Sequence, residues 1–270
     1  MKLGLKQVSR ATLILKDPSS KLYGELMNAA LSLPSAVALA AHANATETEC
    51  EIKHPLLTEV KESIAGKKFQ LSSGSQFKKQ EREIHIIRGP GDLLCRSFDF
   101  FCDRFRRSII GGRRDQGYED LRNGFYEMSD NVVAHSGVGA GDTSVGIVAY
   151  EATSSGGCFT VCDTGCGFVR SLNLNARWRS IDTHKAAISA VVLKQATSRS
   201  SERSGGGFRG LFAALAELNA VTLLRSGDCL AAISTSQRGP ELEFHPSANI
   251  AGSQVSVLFS KSGLPGEEFH

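Results

Sequence analysis

The sequence predicts an α+β protein, and three observations carry that expectation. Two stretches, Leu94 to Ile109 and Gln116 to His135, repeat apolar residues at every third or fourth position, the period of a helix with one buried face. Thr143 to Glu151 and Cys158 to Cys162 read as strands joined by Thr153-Ser154-Ser155-Gly156-Gly157, an antiparallel hairpin with a longer loop. Three more strand-like runs follow the last helix: Val221 to Arg225, Leu230 to Thr235 and Val255 to Phe259, with a short one at Glu241 to Phe244.

The totals narrow the class. A chain of 270 residues, 41% hydrophobic and 22% charged, has material for one large domain or two small ones. A net charge of +3 does not by itself argue for nucleic acid. No apolar run approaches the roughly 18 residues of a membrane span. The first sixteen residues carry Lys2, Lys6, Arg10 and Lys16 and no acid, but no secretory pattern follows, so an ordinary N-terminus is expected. The seven cysteines are scattered. Cys158, Cys162 and Cys166 do not have zinc-site spacing, and a reduced, cytoplasmic compartment is the simplest expectation.

Taken in order, residues 1–80 read as a small α/β unit without a catalytic constellation. Ala11 to Leu15 suggests a strand and Leu22 to Leu33 a helix. Ala36 to Ala40 fits a strand or a helix, and Pro55 to Ile64 a helix with Leu56, Leu57, Val60 and Ile64 on one face. Gly66 to Gln80 reads as a linker. Glu83 to Ile87 alternates like a strand and ends at Gly89-Pro90-Gly91. The next helix carries Leu94, Phe98, Phe101, Phe105 and Ile109 on its buried face.

The helix from Gln116 to His135 has two faces. Leu121, Phe125, Met128 and Val132 form the apolar stripe; Glu127 and Asn131, four apart, project together on the polar side, with Asp130 beside them. A carboxylate that takes a proton and an amide oxygen that binds a hard cation can share one target, although a solvated polar face gives the same pattern. His135 reads as a helix-end histidine more readily than as a catalyst. After the hairpin comes Asp163-Thr164-Gly165-Cys166-Gly167. Glycines there let the backbone approach a flat ligand, with the carboxylate at its edge to accept from an exocyclic amine; a turn-capping Asp is the alternative.

Residues 170–209 hold eight Lys/Arg against Asp182 and Glu202. This excess suits closure over phosphate, contact with an acidic partner, or plain solvation. Within it, Asp182 to Lys194 reads as a helix capped by Asp182 or Thr183. Ser204-Gly205-Gly206-Gly207 precedes an amphipathic helix, Phe208 to Leu218, and a helix start with free amides suits phosphate. The same glycines fit a dinucleotide fingerprint, but no strand precedes them, and no P-loop motif occurs.

The order Glu-x-x-x-Asn on a helix, Asp-x-Gly-x-Gly after a hairpin, a basic segment and a glycine cluster at a helix start resembles the GHKL superfamily of ATPases. Glu127 and Asn131 match its N-box, Asp163, Gly165 and Gly167 its first glycine box, and Gly205 to Gly207 its second. Gly252-Ser253 resembles its late Gly-Thr element. The resemblance covers about residues 82–262, leaving 263–270 as a loose tail, and the layout is most similar to bacterial anti-sigma-factor serine kinases. The second box departs from the usual Gly-x-Gly-Leu, reading Gly-Gly-Gly-Phe-Arg-Gly.

The resemblance implies a two-layer α/β sandwich, with a mixed, mainly antiparallel sheet and helices on one face. It implies ATP and Mg²⁺ as cofactors. Asn131 would hold the metal, Glu127 would be the general base, and Asp163 would read adenine with Ser253. Gly165 and Gly167 would admit the base; Ser204, Gly205, Gly206, Gly207 and Arg209 would hold the phosphates. It also implies hydrolysis of ATP or phosphorylation of serine on a regulatory protein partner, STAS-like or sigma-factor-like. The alternative is a non-catalytic ATP-gated binding module. A histidine-kinase half would need a dimerising helix that the sequence does not display, and a homodimer is compatible with the pattern.

Overall fold

The computed structural model describes residues 36–37, 40–41, 55–65, 81–110, 116–135, 145–153, 156–197, 220–236 and 239–260. Helix α1 spans Pro55–Ile64, strand β1 Glu81–Ile87, the short helix α2 Pro90–Leu93 and helix α3 Arg96–Phe105, which continues into a π turn, Arg106–Ile110. Helix α4 is Gln116–His135. Strands β2 (Gly146–Thr153) and β3 (Gly156–Asp163) follow, then α5 (Gly167–Asn173), a 3₁₀ turn (Ala176–Trp178) and α6 (His184–Lys194). Strands β4 (Val221–Ser236) and β5 (Gly239–Ser260) complete the described elements. The five strands form one sheet in the order β1-β2-β3-β5-β4, with every pairing antiparallel. The protein is therefore α+β, as expected; the parallel component of a mixed sheet is not found among the described strands.

The front of the sheet carries an aromatic core. In α4, Leu121 and Phe125 are fully buried and Met128 and Val132 nearly so, the stripe expected from the sequence. Phe105 stacks on Phe125 with ring centroids 4.2 Å apart, and Phe125 meets Phe159 of β3 edge-on at 5.4 Å. Offset and edge-on contacts suit the ring quadrupoles. Tyr150 lies beside Phe101 and Phe105 and donates its hydroxyl to Glu83 (3.0 Å), which also accepts from Arg104 (2.6 Å).

One helix was expected from Leu94 to Ile109, and the structure corrects this. Pro90 opens α2, where its fixed φ suits the first helical position; the chain then breaks at Leu94 and Cys95, and Cys95 is extended. Leu94 is consequently 85% exposed, while the π turn still brings Ile109 into the core. The hairpin loop is also shorter than expected, because pairing runs on through Thr153 and Gly156.

Helices on one face only were expected, and this too is corrected. The back of β1–β3 shares a core with residues upstream of 80: Ala36, Val37, Ala40 and Ala41, which are helical, and Leu57 and Val60 of α1 pack with Ile86, Ile147, Ala149, Cys158 and Cys162. Small side chains on both sides permit this close layer. Arg82 fastens it, bonding Glu59 of α1 (3.3 Å) and Glu151 of β2 (2.7 Å). The strand expected at Ala11 to Leu15, the helix at Leu22 to Leu33, the linker from Gly66 and the tail from 263 lie outside the described residues.

The separate strand-like runs near the C-terminus are in fact two long strands forming one ribbon. β4 and β5 pair from Val221 and Leu258 to Ser236 and Gly239, with the register shifting around Gly227. Gly227 (φ +53°) and Gly252 (φ +78°) sit at this irregularity, in the left-handed region that glycine adopts without strain. The outer part of the ribbon packs on α6: Ile188 and Val192 share the front core with Cys229, Ala231 and Ile233.

Candidate functional site

Antiparallel register brings four residues into one row across four strands. Gly146 of β2 faces Asp163 of β3; Asp163 faces Ser253 of β5; Ser253 faces Ser226 of β4. At about 4.8 Å per strand, the row spans about 14 Å. Helix α4 sits directly on its first member: a Cβ on Gly146 would lie 2.2 Å from Val132 Cγ1, so only glycine allows this approach. Helix α6 meets its last member through His184, whose Nδ1 is 3.0 Å from Ser226 Oγ.

Asp163 is the centre of the row. Its side chain is buried, and its two oxygens have different partners: Oδ1 accepts from the Gly165 amide (2.8 Å) and Oδ2 from the Ser253 hydroxyl. Burial pushes its carboxyl above the usual carboxylate range, and the bonds from Ser253 and Gly165 oppose this in part. Gly252 is required beside it, because a Cβ there would stand 1.9 Å from the Asp163 carbonyl oxygen. The Ser253 amide also bonds the carboxylate, and the lone-pair sites of its two oxygens exceed these three bonds.

The turn after Asp163 is stitched down on both sides. The Thr164 hydroxyl accepts from the Val145 amide (2.9 Å) and the Thr164 amide donates to the Val145 carbonyl (3.0 Å). Gly167 opens α5 with φ +68°, and the next amide, of Phe168, donates to Ser226 Oγ (3.0 Å). Cys166 lies within this turn, but burial and the Asp163 charge push its thiol up, so it is a poor nucleophile. Cys158 and Cys162 are buried on the back face, their thiols pushed up to about 12. No cluster of three His, Cys, Asp or Glu that could hold a metal occurs among the described residues.

The expected N-box residues sit on α4, the helix whose Val132 covers Gly146. Glu127 and Asp130 are exposed, and Asn131, next to the Val132 that covers Gly146, is half-buried. Among the described residues no hydrogen bond to the Glu127 or Asn131 side chain is found. An amide oxygen left open in this way fits a cation that keeps most of its ligands as water and phosphate oxygens, as Mg²⁺ does.

Asp163, Gly165, Gly167 and Ser253 therefore come together, whereas Glu127 and Asn131 lie on the helix that packs Val132 against Gly146. Ser204, Gly205, Gly206, Gly207 and Arg209 lie outside the described residues, as does the helix expected from Phe208 to Leu218. In the basic segment, Arg170, Arg177, Arg179, Lys185 and Lys194 are exposed. Arg177 lies 4.9 Å over Trp178, and Lys185 lies 5.1 Å over Phe244 of the ribbon. Thr183 caps α6 as expected, accepting from the Ala186 amide. Sequence reasoning missed Thr164, which fills an unspecified position of the Asp-x-Gly-x-Gly stretch, and Ser226, His184 and the demand for glycine at 146 and 227, none of which stands in a recognisable local motif.

No helix among the described residues is long and apolar enough to cross a membrane. No protein-family model matches the chain, and no curated protein matches it.

Proposed function

We propose that this chain binds a magnesium adenine nucleotide, in a site of the GHKL type, at the row Gly146–Asp163–Ser253–Ser226. The observation that carries the proposal is Asp163: a buried carboxylate fixed by Gly165 and Ser253, beside a glycine that cannot carry a side chain. A buried carboxylate costs desolvation, and a fixed acceptor at the edge of a flat base is a use that offsets it. Asn131 would contribute its amide oxygen to Mg²⁺, whose chemistry there is to neutralise phosphate charge. Glu127 would accept a proton from water or from a serine hydroxyl of a regulatory protein, either STAS-like or sigma-factor-like. Ser204, the glycines 205–207 and Arg209 would hold the phosphates.

A second reading is a nucleotide-gated binding module without turnover. It is favoured by Glu127 itself, which is exposed and whose carboxylate receives no hydrogen bond from a described residue. Calorimetric titration with ATP and Mg²⁺ tests the common part: heat that disappears in Asp163→Ala supports the site, and no heat in the native chain ends it. Incubation with γ-labelled ATP separates the two readings. Free phosphate or label on a partner protein, lost in Glu127→Ala, indicates catalysis; saturable binding without either indicates the module.

A further inference from the structure

The row that begins under α4 ends in a second set of bonds. Ser226 Oγ accepts the Phe168 amide at 3.0 Å, using one lone pair, and stands 3.0 Å from His184 Nδ1. Either Ser226 Oγ or His184 Nδ1 can be the donor of this second bond, according to the tautomer of the imidazole. Ser226 is almost fully buried, so neither bond is readily replaced by water.

The backbone around the pair is bare where the two side chains meet it. A Cβ at Gly227 would stand 2.1 Å from His184 Nε2, so the imidazole rests on bare backbone. A Cβ at Gly167 would come within 3.0 Å of Ser226 Oγ and 3.2 Å of the Gly252 carbonyl oxygen. Three glycines with positive φ thus leave room here: Gly167 beside the Ser226 hydroxyl, Gly227 beside His184 and Gly252 beside Asp163. Through it the turn after Asp163, the irregular centre of the β4–β5 ribbon and the first residue of α6 are tied at one point.

We propose that Ser226 and His184 are a latch, positioning residues that lock the Asp163–Phe168 turn to the start of α6 and thereby shape the site for the adenine end of the nucleotide. The proposal rests on the nucleotide reading given above. Through the latch, α6, which lies within the basic segment, and the floor of the base pocket move together.

The test uses the full chain and four variants: Ser226→Ala, His184→Ala, their double, and His184→Asn, whose amide oxygen falls near the place of Nδ1. Two quantities are measured: affinity for ATP with Mg²⁺, and hydrogen exchange of the Phe168 amide without nucleotide. Each alanine variant is expected to weaken binding roughly tenfold, the scale of one buried hydrogen bond. The double variant should be no weaker than Ser226→Ala alone, and Asn should restore most of the loss. Phe168 exchange should quicken in Ser226→Ala. Additive losses, or an Asn variant no better than Ala, overturn the latch, as does native affinity with native exchange in all four. A native chain that binds no ATP overturns the positioning role together with the nucleotide reading; in that case quickened Phe168 exchange shows that the bond itself exists.

Discussion

The two halves of the candidate site differ in how much of their bonding is already made. Around Asp163, carboxylate, hydroxyls and amides are joined to one another before any ligand arrives. On α4, Glu127 and Asn131 project from a helix that is firmly anchored on its other side, but their side chains receive no hydrogen bond from described residues. The first half is rigid because its polar groups are buried and must be paired. The second half is rigid only in its backbone. Substitutions should therefore separate: those in the first half change stability and binding together, whereas those in the second change binding or turnover alone.

The largest effect is expected below both halves. Phe125 is fully buried between Phe105 and Phe159, and α4 depends on it. Phe125→Ala should cost about 3–5 kcal/mol, read from denaturant unfolding. A loss under about 1 kcal/mol would mean that the stack does not anchor the helix, and that the second half is soft throughout.

Gly252 tests the rigidity of the first half. Alanine there meets a backbone at φ +78° and the Asp163 carbonyl. The conformational penalty alone is about 1–2 kcal/mol, and the overlap adds to it. Gly252→Ala should lower the melting temperature and abolish ATP heat. Retained binding in this variant would break the comparison, since the first half would then tolerate distortion.

Asp163 sharpens the comparison through pH. Its folded pKa lies above the ordinary carboxylate value because of burial, so the folded state holds its proton at pH values where the unfolded chain has released it. Its contribution to stability is thus fully present below the ordinary carboxylate pKa and is lost as pH rises through the raised one. Asp163→Asn removes this dependence. The variant should gain on the native chain from acid to neutral pH, while losing affinity for ATP. A difference in stability that is flat with pH would show that the carboxyl is not raised.

Legibility in the sequence followed the same division. Helix α4 was readable in full, since twenty residues of unbroken period allow one buried face. Asp163 was readable because acid and two glycines lie within five residues. The latch was not: His184 and Ser226 lie 42 positions apart, and register alone joins them. The ribbon was missed because Gly227 and Gly252 look like turns, whereas each sits within a continuous strand. The covered back face was missed for another reason. Alanines and cysteines fit several environments, so nothing in Ala36–Ala41 or Cys158–Cys162 announces a partner.

The smallest effect on stability belongs to the unbonded half. Glu127→Ala and Asn131→Ala remove no described hydrogen bond, so each should leave stability within about 0.5 kcal/mol of native. Their functional consequences should diverge. Asn131→Ala should weaken ATP binding in the presence of Mg²⁺ and leave metal-free binding unchanged, because only the metal's ligand is lost. Glu127→Ala should bind normally and, if the site is catalytic, turn over no ATP. Paired calorimetric titrations with Mg²⁺ and with chelator check the first, and phosphate release the second. Should Asn131→Ala weaken metal-free binding equally, the amide would be part of the nucleotide pocket rather than a metal ligand, and the two halves would differ in burial but not in task.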